Sequence, residues 1–319
     1  MIKIESKMFR DSRKSAVSDN IAVNIATFVF MLLLMMIAES IIPLIMSYDE
    51  LKLRLLEEAE NSDINRLIEI SAEINLQPKY LIPTLFCTVF GTAIAVIYCR
   101  FVEARHLSSM GIQRKKLGIH YLQGAAIGLF LMSFIVLISV VTGVQKISVC
   151  SNVNIKLIIL FLFGFFFQGM SEEFIFRGYF MNTLGGRHHW AAAVGISAAA
   201  FSLSHGLNPG FGILVFINLF LFGAFAGLYM LYFDDIWGVS AIHSVWNFAQ
   251  GNLFGISVSG TGNTESLLRT TANSSSKLLT GGDFGIEGSI ITTVVLGAAI
   301  AVIFILHNKK SKTSRRREN

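Results

Sequence analysis

The stretch that decides the fold is Phe161–Leu184, FLFGFFFQGMSEEFIFRGYFMNTL. Its first half is apolar enough for a membrane helix, and it runs without a proline into Glu172, Glu173 and Arg177. Ionisable groups on such a helix are costly unless they face protein or a water-filled cavity, so the three read as functional. Consecutive residues of an α-helix point about 100° apart, so Glu172 and Glu173 serve different faces. Glu173 stands four residues before Arg177, the favourable order for an intrahelical ion pair. Glu172 has no such partner on its own face in this reading, and a desolvated carboxyl with an acidic neighbour suits a general base. The plainer alternative is that both glutamates form surface pairs at a helix end.

Working outward, the composition places this helix in a membrane protein. Of 319 residues, 53% are hydrophobic and only 15% charged, with a mean hydropathy of +0.60. A soluble domain carries closer to a quarter charged residues. The net charge of +5 would suggest nucleic acid in a soluble protein. Here the basic residues collect in short loops and at the termini, where they act as orientation signals, so no nucleic-acid partner is expected. Cys87, Cys99 and Cys150 are odd in number and lack metal-ligand spacing, which implies neither a disulfide framework nor a zinc ribbon. The first apolar run reads as a retained anchor rather than a signal peptide, and the terminal RRREN is not a prenylation box.

The spans on either side alternate with basic loops. Lys3, Lys7, Arg10, Arg13 and Lys14 precede a first span at Ile21 to Met46, which places the N-terminus in the cytoplasm. Glu39, near Pro43 in that span, reads as a snorkelling or kink residue. Residues 47–80 carry Leu51, Leu55, Ile64, Leu67, Ile68 and Ile74 at helical spacing and predict an outer amphipathic segment. Further spans follow at Leu81 to Cys99, Ile119 to Thr142, from Ile155, Trp190 to His205, Phe211 to Phe233, Trp237 to Phe254 and Ile290 to Leu306. Ala191, Gly195 and Ala199, and likewise Gly223 and Gly227, form small-residue stripes suited to close helix contact. The Gly-, Ser-, Thr- and Asn-rich residues 255–285 read as a flexible outer loop. The fold class is therefore all-α, a polytopic membrane helix bundle of about eight transmembrane helices with both termini cytoplasmic. Three regions are expected: 1–110 with two spans and the amphipathic segment, 111–254 as a membrane core, and 255–319 with the outer loop, last span and basic tail.

Counting back from the inner loops brings polar groups to one depth. Glu172 and His205 flank the His188–His189 turn symmetrically, each roughly 20 Å from it at 1.5 Å per residue. Asn247 and His243 share a face of the seventh span, in the half of the bundle next to that turn. Glu172, His205, His243 and Asn247 should then converge, and burying four such groups idly would cost several kcal/mol. Glu and His together can deprotonate a water, while a second His and an Asn amide can hold an oxyanion. A Glu/His/His set equally suits Zn²⁺ with water in the fourth position. His188 and His189 themselves read as solvated turn residues.

At these residues the chain resembles the CPBP family, the CAAX prenyl protease and bacteriocin-processing group of intramembrane proteases, also called ABI. The matching motifs are EEFIFR (Glu172 to Arg177), FSLSH (Phe201 to His205) and HSVWN (His243 to Asn247), in order on separate helices within roughly residues 110–250. The resemblance implies Glu172 as the water-activating glutamate, His205 as its partner, and His243 with Asn247 on the oxyanion side. Glu173 and Arg177 match its remaining charged positions. It implies an endopeptidase of the bacterial plasma membrane acting on a membrane-associated, lipidated or peptide substrate, and leaves zinc-dependent and metal-free mechanisms both open. The competing readings are a non-proteolytic bacteriocin-immunity or scaffold protein that uses the cavity for binding, and a proton-coupled transporter, for which paired broken helices are missing.

Overall fold

A chain this apolar can satisfy its backbone in lipid only with helices or a closed barrel, and this one makes helices. The computed structural model describes residues 6–58, 64–262 and 265–318. In order these are α1 (Lys7–Ser12), α2 (Ile21–Glu58), α3 (Ile64–Asn75), α4 (Pro78–Cys87), α5 (Val89–Ile97), α6 (Leu117–Val141), β1 (Gln145–Val149), α7 (Ile155–Glu173), α8 (Asn182–Gly185), α9 (Trp190–Ser204), α10 (Ile213–Phe233), α11 (Ile236–Phe248), β2 (Leu268–Ala272), α12 (Lys277–Thr280) and α13 (Ile290–Glu318). Wider π-helical turns at Tyr98–Val102, Phe174–Met181 and Ala249–Leu253 extend α5, α7 and α11.

Among the described residues six helical stretches are long and apolar enough to cross a membrane: Ile21–Glu57, Pro78–Val102, Leu117–Val141, Ile155–Gly185, Ile213–Phe233 and Ile290–Lys310. The other two expected spans are shorter, 15 residues in α9 and 13 in α11. Their positions explain this. α9 stops at His205, and α11 is enclosed by neighbours, with His243, Ser244 and Asn247 buried among its small and apolar residues.

Glycines set the depth at which α11 sits. A Cβ on Gly124 of α6 would stand 2.0 Å from the Gly238 carbonyl oxygen, and one on Gly128 would stand 2.5 Å from that of Ile242. Gly169 of α7 does the same on the other side, where a Cβ would fall 2.6 Å from the Ser244 nitrogen. Backbones therefore approach closely along both flanks of α11. Gly223 and Gly227 of α10 meet Ala198 and Val194 of α9 as their spacing predicts. The Ala191, Gly195, Ala199 stripe does not behave as expected. Nothing lies within 4 Å of a Cβ built on Gly195, and α9 turns Ala193, Val194, Ser197, Ala198 and Phe201 inward instead. The inward face is the one that buries Phe201, the larger apolar gain.

The segments at the ends of the bundle are more ordered than the sequence predicts. α2 continues past Met46, and Ile70, Ile74 and Tyr80 pack with Leu51, Leu55 and Leu67, so the amphipathic spacing is used within the chain. The side chains of Ile64 and Ile68 lie outside the described residues. Glu50 closes this hairpin by accepting from Gln77 (2.9 Å) and Tyr80 (2.8 Å). The loop expected to be flexible is structured over its described residues. β2 pairs antiparallel with β1, with Gln145 opposite Ala272 and Val149 opposite Leu268. Buried Glu287 accepts from the Trp246 indole (3.1 Å), the Gln250 amide (3.1 Å) and the Ser259 backbone (2.9 Å). Glycines at positive φ, among them Gly281 and Gly285, supply the tight turns between these bonds. At the other end α1 is docked rather than free, with Met8, Phe9 and Ser12 buried. Lys3, and the side chains beyond Lys310, lie outside the described residues.

Candidate active site

The site is built where α7 passes into its π-helical turn. Such turns interrupt the α register and occur often at functional sites. Glu173, the last α-helical residue, is completely buried and accepts from Arg177 Nη1 at 3.0 Å, as the four-residue spacing predicts. It also meets a group that spacing on one helix could not reveal: His243 Nδ1 of α11 lies 2.8 Å from the same oxygen, Glu173 Oε1. Arg177 is fully buried as well, with its guanidinium 4.5 Å from the centre of the Phe201 ring. A carboxylate shared by Arg177 and His243 therefore fastens α7 to α11, while the cation lies on α9.

Glu172 faces the other way. Its Oε2 lies 3.7 Å from His243 Nε2, so the two nitrogens of one imidazole are held between the two adjacent glutamates. The expectation that Glu172 has no partner on its own face is corrected. Gln168, one turn earlier, donates its amide to Glu172 Oε1, and its carbonyl accepts from Asn247 Nδ2 at 2.9 Å. Asn247 thus reaches Glu172 through Gln168. Gln168 was legible in the sequence, being an amide four residues before Glu172 in an otherwise apolar run.

Glu172 and His205 line a common cavity of about 250 Å³, together with Glu39, Ser171, Ser204 and Asn208. His205 caps the C-terminal end of α9, and its Nδ1 lies 2.9 Å from the Phe201 carbonyl oxygen. A carbonyl only accepts, so Nδ1 carries a proton and, in the neutral ring, Nε2 is the atom with the lone pair. The cavity sits at the end of α9 remote from the His188–His189 turn, about 22 Å along the helix axis at 1.5 Å per residue. That distance is close to the roughly 20 Å counted from the sequence. His189 itself accepts from the Ala191 backbone at 3.3 Å, capping α9.

Glu172 and His205 thus line one cavity, His243 lies between Glu172 and Glu173, and Asn247 is linked to Glu172 through Gln168. Among the described residues no three His, Cys, Asp or Glu side chains come together as a set that could hold a metal ion. His243 has one nitrogen engaged by Glu173, and His205 has one held by the Phe201 carbonyl. As arranged, the Glu/His/His trio does not fit a preformed zinc site. The sequence reading missed Gln168 and the entry of Glu39 into the cavity; the latter depends on how α2 packs, which no local motif records.

Neither a curated protein nor a solved structure matches the chain. Residues 154–249, which hold all three motifs, match the model of the Rce1-like family, described as Type II CAAX prenyl endopeptidase Rce1-like, and this is the family that EEFIFR, FSLSH and HSVWN resemble.

Proposed function

We propose that this protein is an intramembrane endopeptidase that hydrolyses a peptide bond in a prenylated or otherwise membrane-associated peptide, using a water activated by Glu172. The observation that carries the reading is the juxtaposition of Glu172 with His243 and, across a small cavity inside a membrane bundle, with His205. In this scheme Glu172 takes a proton from water, and the His205 Nε2 lone pair orients that water from the opposite wall. The Gln168 amide holds the Glu172 carboxylate in place.

His243 and Asn247 stand on the oxyanion side. With Nδ1 donating to Glu173, His243 offers an Nε2–H only as the imidazolium, and the Glu173 carboxylate is the counter-charge that such a cation needs. Arg177 balances Glu173 in turn, so the pair positions His243 without touching the substrate. Every step uses water and side chains of this chain. The binding-only reading has no observation of its own to favour it.

Purified protein in lipid vesicles, given an S-farnesylated Cys-a-a-X peptide, should release the peptide C-terminal to the prenylated cysteine, as seen by mass spectrometry. His205→Ala should slow this by about 10²-fold or more. An inactive wild-type protein, or an equally active variant, would overturn the proposal. Adding a zinc chelator to the same assay separates the two mechanisms: water activated by Glu172 alone leaves the rate unchanged, and a required zinc ion abolishes it.

A further inference from the structure

Resting on that peptidase reading, we infer that Glu39 of α2 is the proton donor to the leaving amine. α2 lies outside residues 154–249, so the family match says nothing about it. Read from sequence, Glu39 should snorkel or mark a kink near Pro43. In the structure it turns into the cavity that holds Glu172 and His205. Its Oε1 is buried, and so is the hydroxyl of Ser171, the residue before Glu172, which faces it. Both face the gap left by Gly91: a Cβ there would stand 2.2 Å from Glu39 Oε1 and 2.8 Å from Ser171 Oγ. Any side chain at position 91 would close the space that these two oxygens share.

The chemistry gives that space a use. Glu172 has His243 Nε2 at 3.7 Å on its other side, and Glu39 lies against the cavity that Glu172 borders. Glu39 and Glu172 face one small enclosure, so one carboxyl can serve as base while the other serves as acid. Amide hydrolysis needs both partners, since a base must take a proton from water and an acid must give one to nitrogen. Glu172 takes the water proton as the new C–O bond forms. When the tetrahedral intermediate collapses, the C–N bond breaks and the Glu39 carboxyl proton passes to the departing nitrogen. The proton on Glu172 then crosses by the Ser171 hydroxyl to Glu39, and both carboxyls return to their starting states. The sum is one amide and one water converted to one acid and one amine.

The test compares leaving groups. One probe is the S-farnesylated Cys-a-a-X peptide, and the other carries an ester oxygen in place of the scissile NH, a leaving group that needs no general acid. Glu39→Gln, which keeps size and hydrogen bonding but cannot give a proton, should slow amide cleavage by about 10²-fold or more. It should leave ester cleavage near the wild-type rate, which also shows that the variant is folded. Glu39→Asp should retain most of the wild-type ratio of amide to ester cleavage. Equal loss of both probes in both variants would assign Glu39 to structure and overturn the inference, as would unimpaired amide cleavage by Glu39→Gln. A wild-type protein that cleaves neither probe would overturn the peptidase reading itself, which distinguishes the two failures.

Discussion

Gln168 joins Asn247 to Glu172 through both ends of one amide, so its loss should be felt at both. Gln168→Leu is expected to lower the cleavage rate by at least about tenfold and to cost about 1–3 kcal/mol, because Asn247 is left with an unsatisfied buried donor. Rate and thermal unfolding, measured on the same preparation, check the two effects together. Arg177 behaves differently. Arg177→Met leaves the buried Glu173 carboxylate without its cation and should destabilise by about 3–5 kcal/mol. Adding Glu173→Gln should restore much of the stability but not the activity, since His243 then loses its counter-charge. At this scale the one-turn spacing of Glu173 and Arg177 was informative, while the same spacing of Gln168 and Glu172 was overlooked. The depth count brought polar groups of separate helices together but did not say which atoms would meet. Glu173 with His243, and Glu39 with the cavity, are fixed by packing that no single helix encodes.

Individual helices were legible for a simple reason. In lipid the backbone has almost no alternative, so long apolar runs become helices whatever else they carry. Which face of a helix turns inward is a finer question, and small residues alone do not answer it. Gly195 belongs to a regular stripe yet meets nothing, whereas Gly169 and Gly124 decide how close α7 and α6 come to α11. Gly169→Val should therefore push α11 outward, destabilise the fold by about 1–3 kcal/mol or more, and abolish cleavage by displacing His243 and Asn247. Gly195→Val should retain wild-type cleavage, since it adds a side chain where there is open space. Unfolding midpoints and cleavage rates of the two variants, side by side, separate the two kinds of glycine. The π-helical turn after Glu173 had no signal in the hydrophobic pattern, because a one-residue change of register in a mostly apolar run leaves its pattern almost the same.

Across the whole molecule, the helices that carry the three motifs are held by a segment that reads as a flexible loop. Gly, Ser, Thr and Asn over residues 255–285 resemble a linker in composition, but composition does not register that Glu287 draws donors from Trp246, Gln250 and Ser259 into one buried cluster. Trp246 is the residue next to Asn247, so this cap is tied directly to the candidate site. Glu287→Ala strands those donors at about 1–3 kcal/mol each and should make the 255–289 segment sensitive to protease before the bundle unfolds. Limited proteolysis of the vesicle-embedded protein reads this out. All of this architecture converges on one carboxylate held by Gln168, beside His243, facing a cavity shared with His205. The measurement that bears on it most directly is the rate at which Glu172→Gln protein, reconstituted in vesicles, cleaves the S-farnesylated peptide. The account predicts a fall of about 10²- to 10⁴-fold with an unchanged unfolding midpoint; cleavage at the wild-type rate would contradict it.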